Sequence, residues 1–167
     1  PVDLDALGTI VRFMAELGVT GVTVAGVLGE GAKLTESERF EIVARAVAES
    51  DGLPVCVGSN GGSPAIVADR LTRARAAGAV ATLLSPTNAP GLTEAHVYEL
   101  FERASSPELP IVVQDHPESS GVNMSTQLLL RLVHELPMVA AIKEEVRNTG
   151  PKITALREGM AGRRVPV

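Results

Sequence analysis

The chain has 167 residues, of which 45% are hydrophobic and 21% charged, a balance typical of one folded domain with a substantial core. A net charge of −5, no tryptophan and a single tyrosine exclude the basic, aromatic surface of nucleic-acid-binding proteins. No apolar run approaches the 18 residues of a membrane span, and no charged-then-apolar leader opens the chain, so we expect a cytoplasmic protein without a membrane partner.

The first third of the chain alternates helix and strand patterns. Apolar residues at helical spacing predict a helix over residues 3–17, and the β-branched run 21–26 predicts a strand. A glycine-rich loop, residues 26–31, follows. Thr35 with Glu38 three residues later is a capping box, which predicts the start of a second helix.

The same unit then repeats along the chain. Apolar runs predict strands over 53–57, 79–84, 110–113 and 138–143, separated by helices that begin after Ser63, Thr93 and Ser125. A weaker helix is predicted around 153–157 after a loop through 150–151, and residues 164–167 resemble the start of one more strand. Cys56, the single cysteine, lies in an apolar run and is predicted to be a core residue.

Alternating helices and continuously apolar strands predict a parallel sheet covered by helices. Two α/β architectures share this pattern, a doubly wound open sheet and an eight-fold β/α (TIM) barrel. The pattern starts with a helix and stops at an incipient strand, which favours a barrel. We therefore expect residues 1–167 to form a single partial TIM-barrel domain that is incomplete at both ends, with barrel strands two to six and their flanking helices.

In both architectures the functional groups follow the carboxyl ends of the strands. Lys143 ends the apolar run that starts at residue 139, and we expect its amine to be buried there. A buried ammonium must be paired or lose its proton, and a lysine with a lowered pKa is the nucleophile of Schiff-base enzymes.

Four motifs in order resemble the dihydrodipicolinate synthase and N-acetylneuraminate lyase family of class I aldolases. Residues 26–30 with Leu34 resemble its G-T-T-G-E-x-x-x-L loop, and residues 54–58 its third strand. Pro117, with Gly121, resembles the proline of its Y-N-x-P motif and the glycine that follows. Residues 141–144 resemble its G-I-K-E/D motif, and the resemblance extends over essentially the whole chain.

The resemblance implies a lyase that acts on pyruvate or another 2-oxo acid without metal or organic cofactor, commonly as a homo-dimer or homo-tetramer. It gives Lys143 the role of the Schiff-base lysine. It also gives the glycine loop the role of binding the substrate carboxylate, through the residues Gly26, Val27, Leu28, Gly29 and Glu30. Glu30 has an alternative role in the electrostatics of the helix start near Thr35. Glu144 and Glu145 are interpreted as solvated or lysine-pairing carboxylates.

The proton relay departs from the family pattern. Gln114 stands where the family has its proton-shuttling tyrosine, and an amide cannot act as an acid or base near neutral pH. Val27 and Leu28 replace the two threonines, and the only tyrosine, Tyr98, falls in a predicted helix. His116 is the nearest titratable substitute, with a turn-capping role as its alternative. We therefore expect an aldolase or dehydratase of sugar acids rather than a dihydrodipicolinate synthase. The alternatives are a non-catalytic 2-oxo-acid-binding homologue and a phosphate-binding open-sheet domain.

Overall fold

Apart from two consecutive helices after the fourth strand, strands and helices alternate along residues 2–167, the part of the chain that the computed structural model describes. The five strands of this part are β1 (Val22–Val24), β2 (Val55–Gly58), β3 (Ala81–Leu84), β4 (Ile111–Asp115) and β5 (Val139–Glu144). The helices are α1 (Leu4–Glu16), α2 (Glu36–Glu49), α3 (Pro64–Ala76), α4 (Glu94–Ala104), α5 (Pro117–Ser120), α6 (Thr126–Glu135) and α7 (Thr149–Gly159).

The strands form one sheet in the order β1-β2-β3-β4-β5, and every neighbouring pair is parallel. Each β/α unit thus places its strand beside the preceding one and always on the same side. A doubly wound sheet reverses that direction at a switch point, and this sheet does not. The order is that of a barrel wall, so the partial TIM barrel is confirmed and the open-sheet alternative is wrong.

The predicted helix starts are confirmed by their hydrogen bonds. Thr35 and Glu38 form both halves of the capping box that begins α2. The side chains of Ser63, Thr93 and Ser125 each accept a backbone N–H from the first turn of α3, α4 and α6. These bonds satisfy donors that have no partner inside the helix, which is why such short sequence signals fix the helix starts.

Two predictions about segments late in the chain need correction, and one short helix is missing from them. Helix α7 begins at Thr149, ahead of the predicted loop, because Pro151 stands in the first turn, where its missing N–H costs nothing. The short helix α5, directly after β4, was not predicted. Residues 164–167 form no strand; a single bond from the Ile142 N–H to the Pro166 carbonyl, 2.9 Å, joins them to β5.

The two faces of the sheet differ in character. Along β4, Ile111, Val113 and Asp115 are fully buried beneath the helices, where the hydrophobic core lies. Val112 and Gln114, which alternate with them, line a cavity on the other face. Among residues 2–167 no helix is both long enough and apolar enough to cross a lipid bilayer.

Candidate active site

A cavity of about 570 Å³ lies on the face of the sheet opposite the helices. All five strands or the loops beside them contribute to its wall. Its lining includes most of the residues predicted for the site, namely Gly26, Val27, Leu28, Gly29, Gln114, His116 and Lys143. It also includes Glu145, which was not among them.

Lys143 projects into this cavity from the end of β5. Its side chain is 49% exposed, so the expectation of a buried lysine is wrong. The cavity face carries no helices, and a side chain on it stays in contact with solvent. The ammonium is instead paired, because Nζ lies 2.5 Å from Oε1 of Glu145.

Glu145 joins the two strands that carry the candidate catalytic residues. Its N–H donates to the carbonyl of Asp115 at 2.9 Å, which extends the β4–β5 ladder by one residue. Extended backbone places residues two apart on the same face, so the carboxylate lies beside Lys143. Its second oxygen, Oε2, accepts a hydrogen bond from Nε2 of Gln114 at 2.7 Å.

The balance of forces on the Glu145 carboxylate favours its ionised form. Partial burial raises its pKa, but hydrogen bonds from Lys143 and Gln114 and the charges of Lys143 and His116 outweigh this and lower it. The sequence predicts Glu145 only as a solvated or lysine-pairing carboxylate. The lysine pairing is confirmed. The spacing of two residues from Lys143 was the available signal that it belongs to the cavity.

Gln114 is the most enclosed polar residue of the site. It is the register partner of Lys143 across β4 and β5, and it is buried. Within residues 2–167 its Oε1 atom has no hydrogen-bond partner, although it is inaccessible to solvent. The structure thus brings Gln114 and Lys143 together as predicted. The Gln114 amide is held in place by the hydrogen bond from its NH₂ group to Glu145.

His116 lies at the rim of the same cavity. Its Nδ1 atom is 2.8 Å from the hydroxyl oxygen of Ser119, which also donates to the His116 carbonyl at 3.2 Å. These contacts tie the ring to the first turn of α5. His116 lies on the same face of the sheet as Gln114, as the sequence predicts. A catalytic role for His116 stays a prediction.

The glycine loop forms the opposite side of the cavity. Inside the loop, the Glu30 N–H donates to the Val27 carbonyl and the Gly31 N–H to the Gly26 carbonyl, both at 3.0 Å. The backbone N–H groups of residues 27–29 are the ones left to bind an anion. Leu28 borders the cavity but is 99% exposed to solvent.

Glu30 is the one predicted site residue that the structure does not bring to Lys143. Its backbone is left-handed, with φ 53°, and its carboxylate pairs with Lys33 outside the cavity. It borders instead a second cavity of about 650 Å³ on the far side of the loop, which Arg39 and Arg70 also line. This position agrees better with the alternative role of Glu30, in which its charge acts on the start of the helix near Thr35.

Gly58 allows the loop to lie close against β2. A Cβ atom at this position would lie 2.4 Å from the Ala25 carbonyl oxygen and 2.6 Å from Cα of Gly26. Buried Arg39 then holds the two segments together, because its guanidinium donates to the Gly58 carbonyl at 2.8 Å and to the Gly31 carbonyl at 2.6 Å. The loop is therefore fixed by backbone contacts rather than by its own side chains.

A buried ionic cluster lies behind the site, on the helix side of the sheet. Lys152 of α7 pairs with Asp115 and lies 3.5 Å from the carboxylate of Glu144. It also donates to the Met124 carbonyl at 2.7 Å. Burial and the nearby charge of Asp115 raise the pKa of Glu144. Asp115 thus points toward the helices, as its position in the strand predicted.

Two other residues singled out in the sequence are now placed. Tyr98 lies on α4 outside the cavity, with the Arg131 guanidinium 3.8 Å from its ring centre. Cys56 is half-buried on the cavity wall rather than in the core, and burial raises its pKa to about 11. In the described part of the chain, no cluster of three His, Cys, Asp or Glu side chains could hold a metal ion.

The sequence matches known proteins along nearly its whole length. The model of the dihydrodipicolinate synthetase family matches residues 1–162. The 4-hydroxy-tetrahydrodipicolinate synthase of Chlorobium phaeobacteroides is 30% identical over 159 residues, which cover 94% of this chain and 54% of the relative. That of Chlorobium luteolum is 31% identical over 150 residues, covering 88% and 50%. The chain spans about half the length of the curated relatives it matches.

Solved structures give the same result. Dihydrodipicolinate synthase from Rhodopseudomonas palustris superposes with a TM-score of 0.83 at 28% identity, over 93% of this chain and 52% of that one. The enzyme from Aquifex aeolicus gives a TM-score of 0.92 at 24% identity, over 99% and 57%. At that identity the second likeness shows the fold alone.

Proposed function

The chain belongs to the dihydrodipicolinate synthetase family, and on that premise we propose that it carries the Schiff-base site of a class I aldolase. Its substrate is pyruvate or another 2-oxo acid. The observation that carries the proposal is the position of Lys143, whose amine enters a cavity that the glycine loop lines on the opposite side. A nucleophile and an anion-binding loop that line the same cavity match the ketone and the adjoining carboxylate of a 2-oxo acid.

The reaction begins with the neutral amine of Lys143. It attacks the ketone carbon of the 2-oxo acid, and loss of water leaves an iminium that withdraws electrons from the neighbouring carbon. The substrate carboxylate binds the N–H groups of residues 27–29 in the loop. Without threonines at Val27 and Leu28, the loop supplies backbone donors and no hydroxyl.

We propose that the overall reaction is aldol formation or cleavage, or dehydration, of a sugar acid. The relatives named above are 4-hydroxy-tetrahydrodipicolinate synthases, but Gln114 occupies the place of the tyrosine that the resemblance implies. A sugar-acid substrate carries hydroxyl groups of its own, which can take part in proton transfer. This difference favours that branch over dihydrodipicolinate synthesis.

Borohydride trapping tests the Schiff base directly. The full chain is incubated with pyruvate and sodium borohydride, and the mass of the intact protein and of its peptides is measured. We expect one covalent adduct on Lys143, absent from Lys143→Ala and retained in Lys33→Ala, which removes an exposed lysine outside the cavity. A folded protein that gives no adduct with pyruvate or a panel of longer 2-oxo acids would refute the aldolase function.

A non-catalytic 2-oxo-acid-binding protein is the second candidate. It is favoured by the position of Tyr98, the chain's only tyrosine, which lies outside the cavity. Such a protein would keep the binding loop and lose turnover. Thermal stabilisation by pyruvate with no exchange of the pyruvate methyl protons would support this candidate.

A homo-dimeric or homo-tetrameric assembly and a cytoplasmic location stay predictions. Light scattering after size-exclusion chromatography measures the first, and immunodetection after cell fractionation the second. Helix α1 and the residue that follows it expose Ile10, Phe13 and Leu17, an apolar surface that agrees with self-association.

A further inference from the structure

The carboxylate of Glu145 contacts both Lys143 and Gln114, which are register partners across β5 and β4 at the candidate site. Oε1 of Glu145 lies 2.5 Å from the Lys143 amine, and Oε2 lies 2.7 Å from the amide nitrogen of Gln114. The Glu145 side chain is 29% exposed and lines the cavity. It is therefore in direct contact with the reacting amine and open to a ligand in the cavity.

The contact with Gln114 fixes the direction of this carboxylate. Gln114 is buried and held in β4, so its NH₂ group is a fixed donor to Oε2. With one oxygen anchored, the other is directed at Nζ of Lys143. An amide cannot exchange protons near neutral pH, but it can position a group that does. His116, by contrast, has one ring nitrogen engaged by Ser119, and within residues 2–167 no hydrogen bond or ion pair joins its ring to the Lys143 amine.

We propose that Glu145 is the acid–base residue of this site and transfers the protons that the missing tyrosine would transfer elsewhere in the family. The inference rests on the proposed Schiff-base function of Lys143. Gln114 is then a positioning residue that acts through Glu145. The substrate class is a 2-oxo acid with at least one hydrogen on C3.

Schiff-base formation requires two protons to move from nitrogen to oxygen. Glu145 takes one proton from the Lys143 ammonium, and the freed amine forms the N–C bond while the carbonyl electrons move to oxygen. Glu145 returns that proton to the oxygen, giving a carbinolamine. It then removes a second proton from nitrogen and gives it to the hydroxyl, which leaves as water. The products are an iminium, water and an ionised Glu145.

The same carboxylate then acts on carbon. It removes a proton from C3 of the iminium, the C–H electrons form the C2–C3 double bond, and the C=N electrons move to nitrogen. C3 is only two bonds from Nζ, so a carboxylate in contact with Nζ can reach it. The enamine attacks the carbonyl carbon of an aldehyde, and Glu145 protonates the resulting alkoxide. Water hydrolyses the product iminium by the reverse of the first steps.

Methyl-proton exchange separates this role from the function on which it rests. Pyruvate is incubated with the full chain in D₂O, and loss of the methyl signal is followed by ¹H NMR; adduct formation is measured in parallel by borohydride trapping. For Glu145→Gln we expect the Lys143 adduct to form after long incubation, while exchange falls by about 100-fold or more, as for loss of a general base. Glu118→Gln, an exposed carboxylate paired with Arg147 outside the cavity, is the control and should exchange normally.

Chemical rescue excludes a purely structural effect. In Glu145→Ala the lost side chain leaves room for a small carboxylate, so added acetate should raise exchange in proportion to its concentration, and sodium chloride should not. Exchange by Glu145→Gln within about threefold of wild type, well short of a general base's effect, would overturn the role. So would an alanine variant that acetate does not rescue. Absence of any wild-type adduct would instead overturn the Schiff-base function and the role with it.

Discussion

Gln114 and Lys143 are register partners across β4 and β5, and the carboxylate of Glu145 joins their side chains. The Gln114 amide, at the position where the family resemblance implies a tyrosine, thus donates a hydrogen bond to a neighbouring acid. If Glu145 has the proposed acid–base role, this pairing makes the contribution of the Gln114 amide measurable.

Replacing Gln114 by leucine should change the pH dependence of methyl-proton exchange. The Gln114 hydrogen bond is among the causes that lower the pKa of Glu145, with the charges of Lys143 and His116. Its loss raises that pKa, and a base acts only above its pKa. The acidic limb of the exchange profile should move to higher pH. Gln127→Leu, on the exposed side of α6, is the matched control, and an unchanged acidic limb in Gln114→Leu would contradict the positioning role.

Lys152→Met should destabilise the protein by about 3 to 5 kcal/mol at pH 7, the usual effect of removing one partner of a buried ion pair. The change leaves Asp115, which is fully buried, and Glu144, whose side chain is 1% exposed, without their cation. Urea denaturation measures the difference. Lys33→Met removes an exposed ion pair, that with Glu30, and should leave the free energy of unfolding nearly unchanged because solvent screens the pair. Similar losses in both variants would refute the importance of the buried cluster.

Glu144→Gln should remove part of the dependence of stability on pH. Burial and the charge of Asp115 raise the pKa of Glu144 above its ordinary value of 4.5. Such a carboxyl favours folding fully below 4.5 and loses that contribution as the pH rises through its folded-state pKa. The unfolding free energy of the variant relative to wild type should therefore increase between pH 4 and 7. A difference that stays constant over this interval, as expected for Glu118→Gln, would contradict the raised pKa.

Gly58→Ala should destabilise the fold and disturb the glycine loop. The added methyl group meets the Ala25 carbonyl oxygen and the Gly26 backbone at distances that no Cβ atom tolerates, so the loop must move. Overpacking of this kind costs about 1 to 3 kcal/mol. Gly150→Ala in α7 has open space around it and should be neutral or slightly stabilising. Thermal unfolding compares the two, and equal melting temperatures would show that the loop yields without cost.

Cys56 should resist alkylation although it lines the cavity. A pKa of about 11 leaves very little thiolate at pH 8, so the rate with iodoacetamide should be on the order of 100-fold below that of an ordinary cysteine. The protein unfolded in guanidinium chloride supplies the reference rate. Labelling of the folded protein at the reference rate would show that burial does not protect the thiol.

Much of the fold follows from local patterns in the sequence. The capping residues Thr35, Ser63, Thr93 and Ser125 mark helix starts because they bond the helix's own first N–H groups, which needs no distant partner. Alternation of apolar strands with helices predicts a parallel sheet, and parallel strands bring their carboxyl ends to one edge. That rule placed Lys143, Gln114 and the glycine loop around a common cavity.

The remaining features depend on contacts that the sequence pattern does not encode. Glu30 turns away from the cavity because of a left-handed backbone at one residue, and Lys143 stays half-exposed because its face of the sheet carries no helix.

Glu145 becomes a candidate acid–base residue only through the β4–β5 register that brings Gln114 to it from 31 residues away. Local hydrogen bonding and periodicity therefore determined the elements and their order, while long-range strand pairing and side-chain direction decided which charged groups meet.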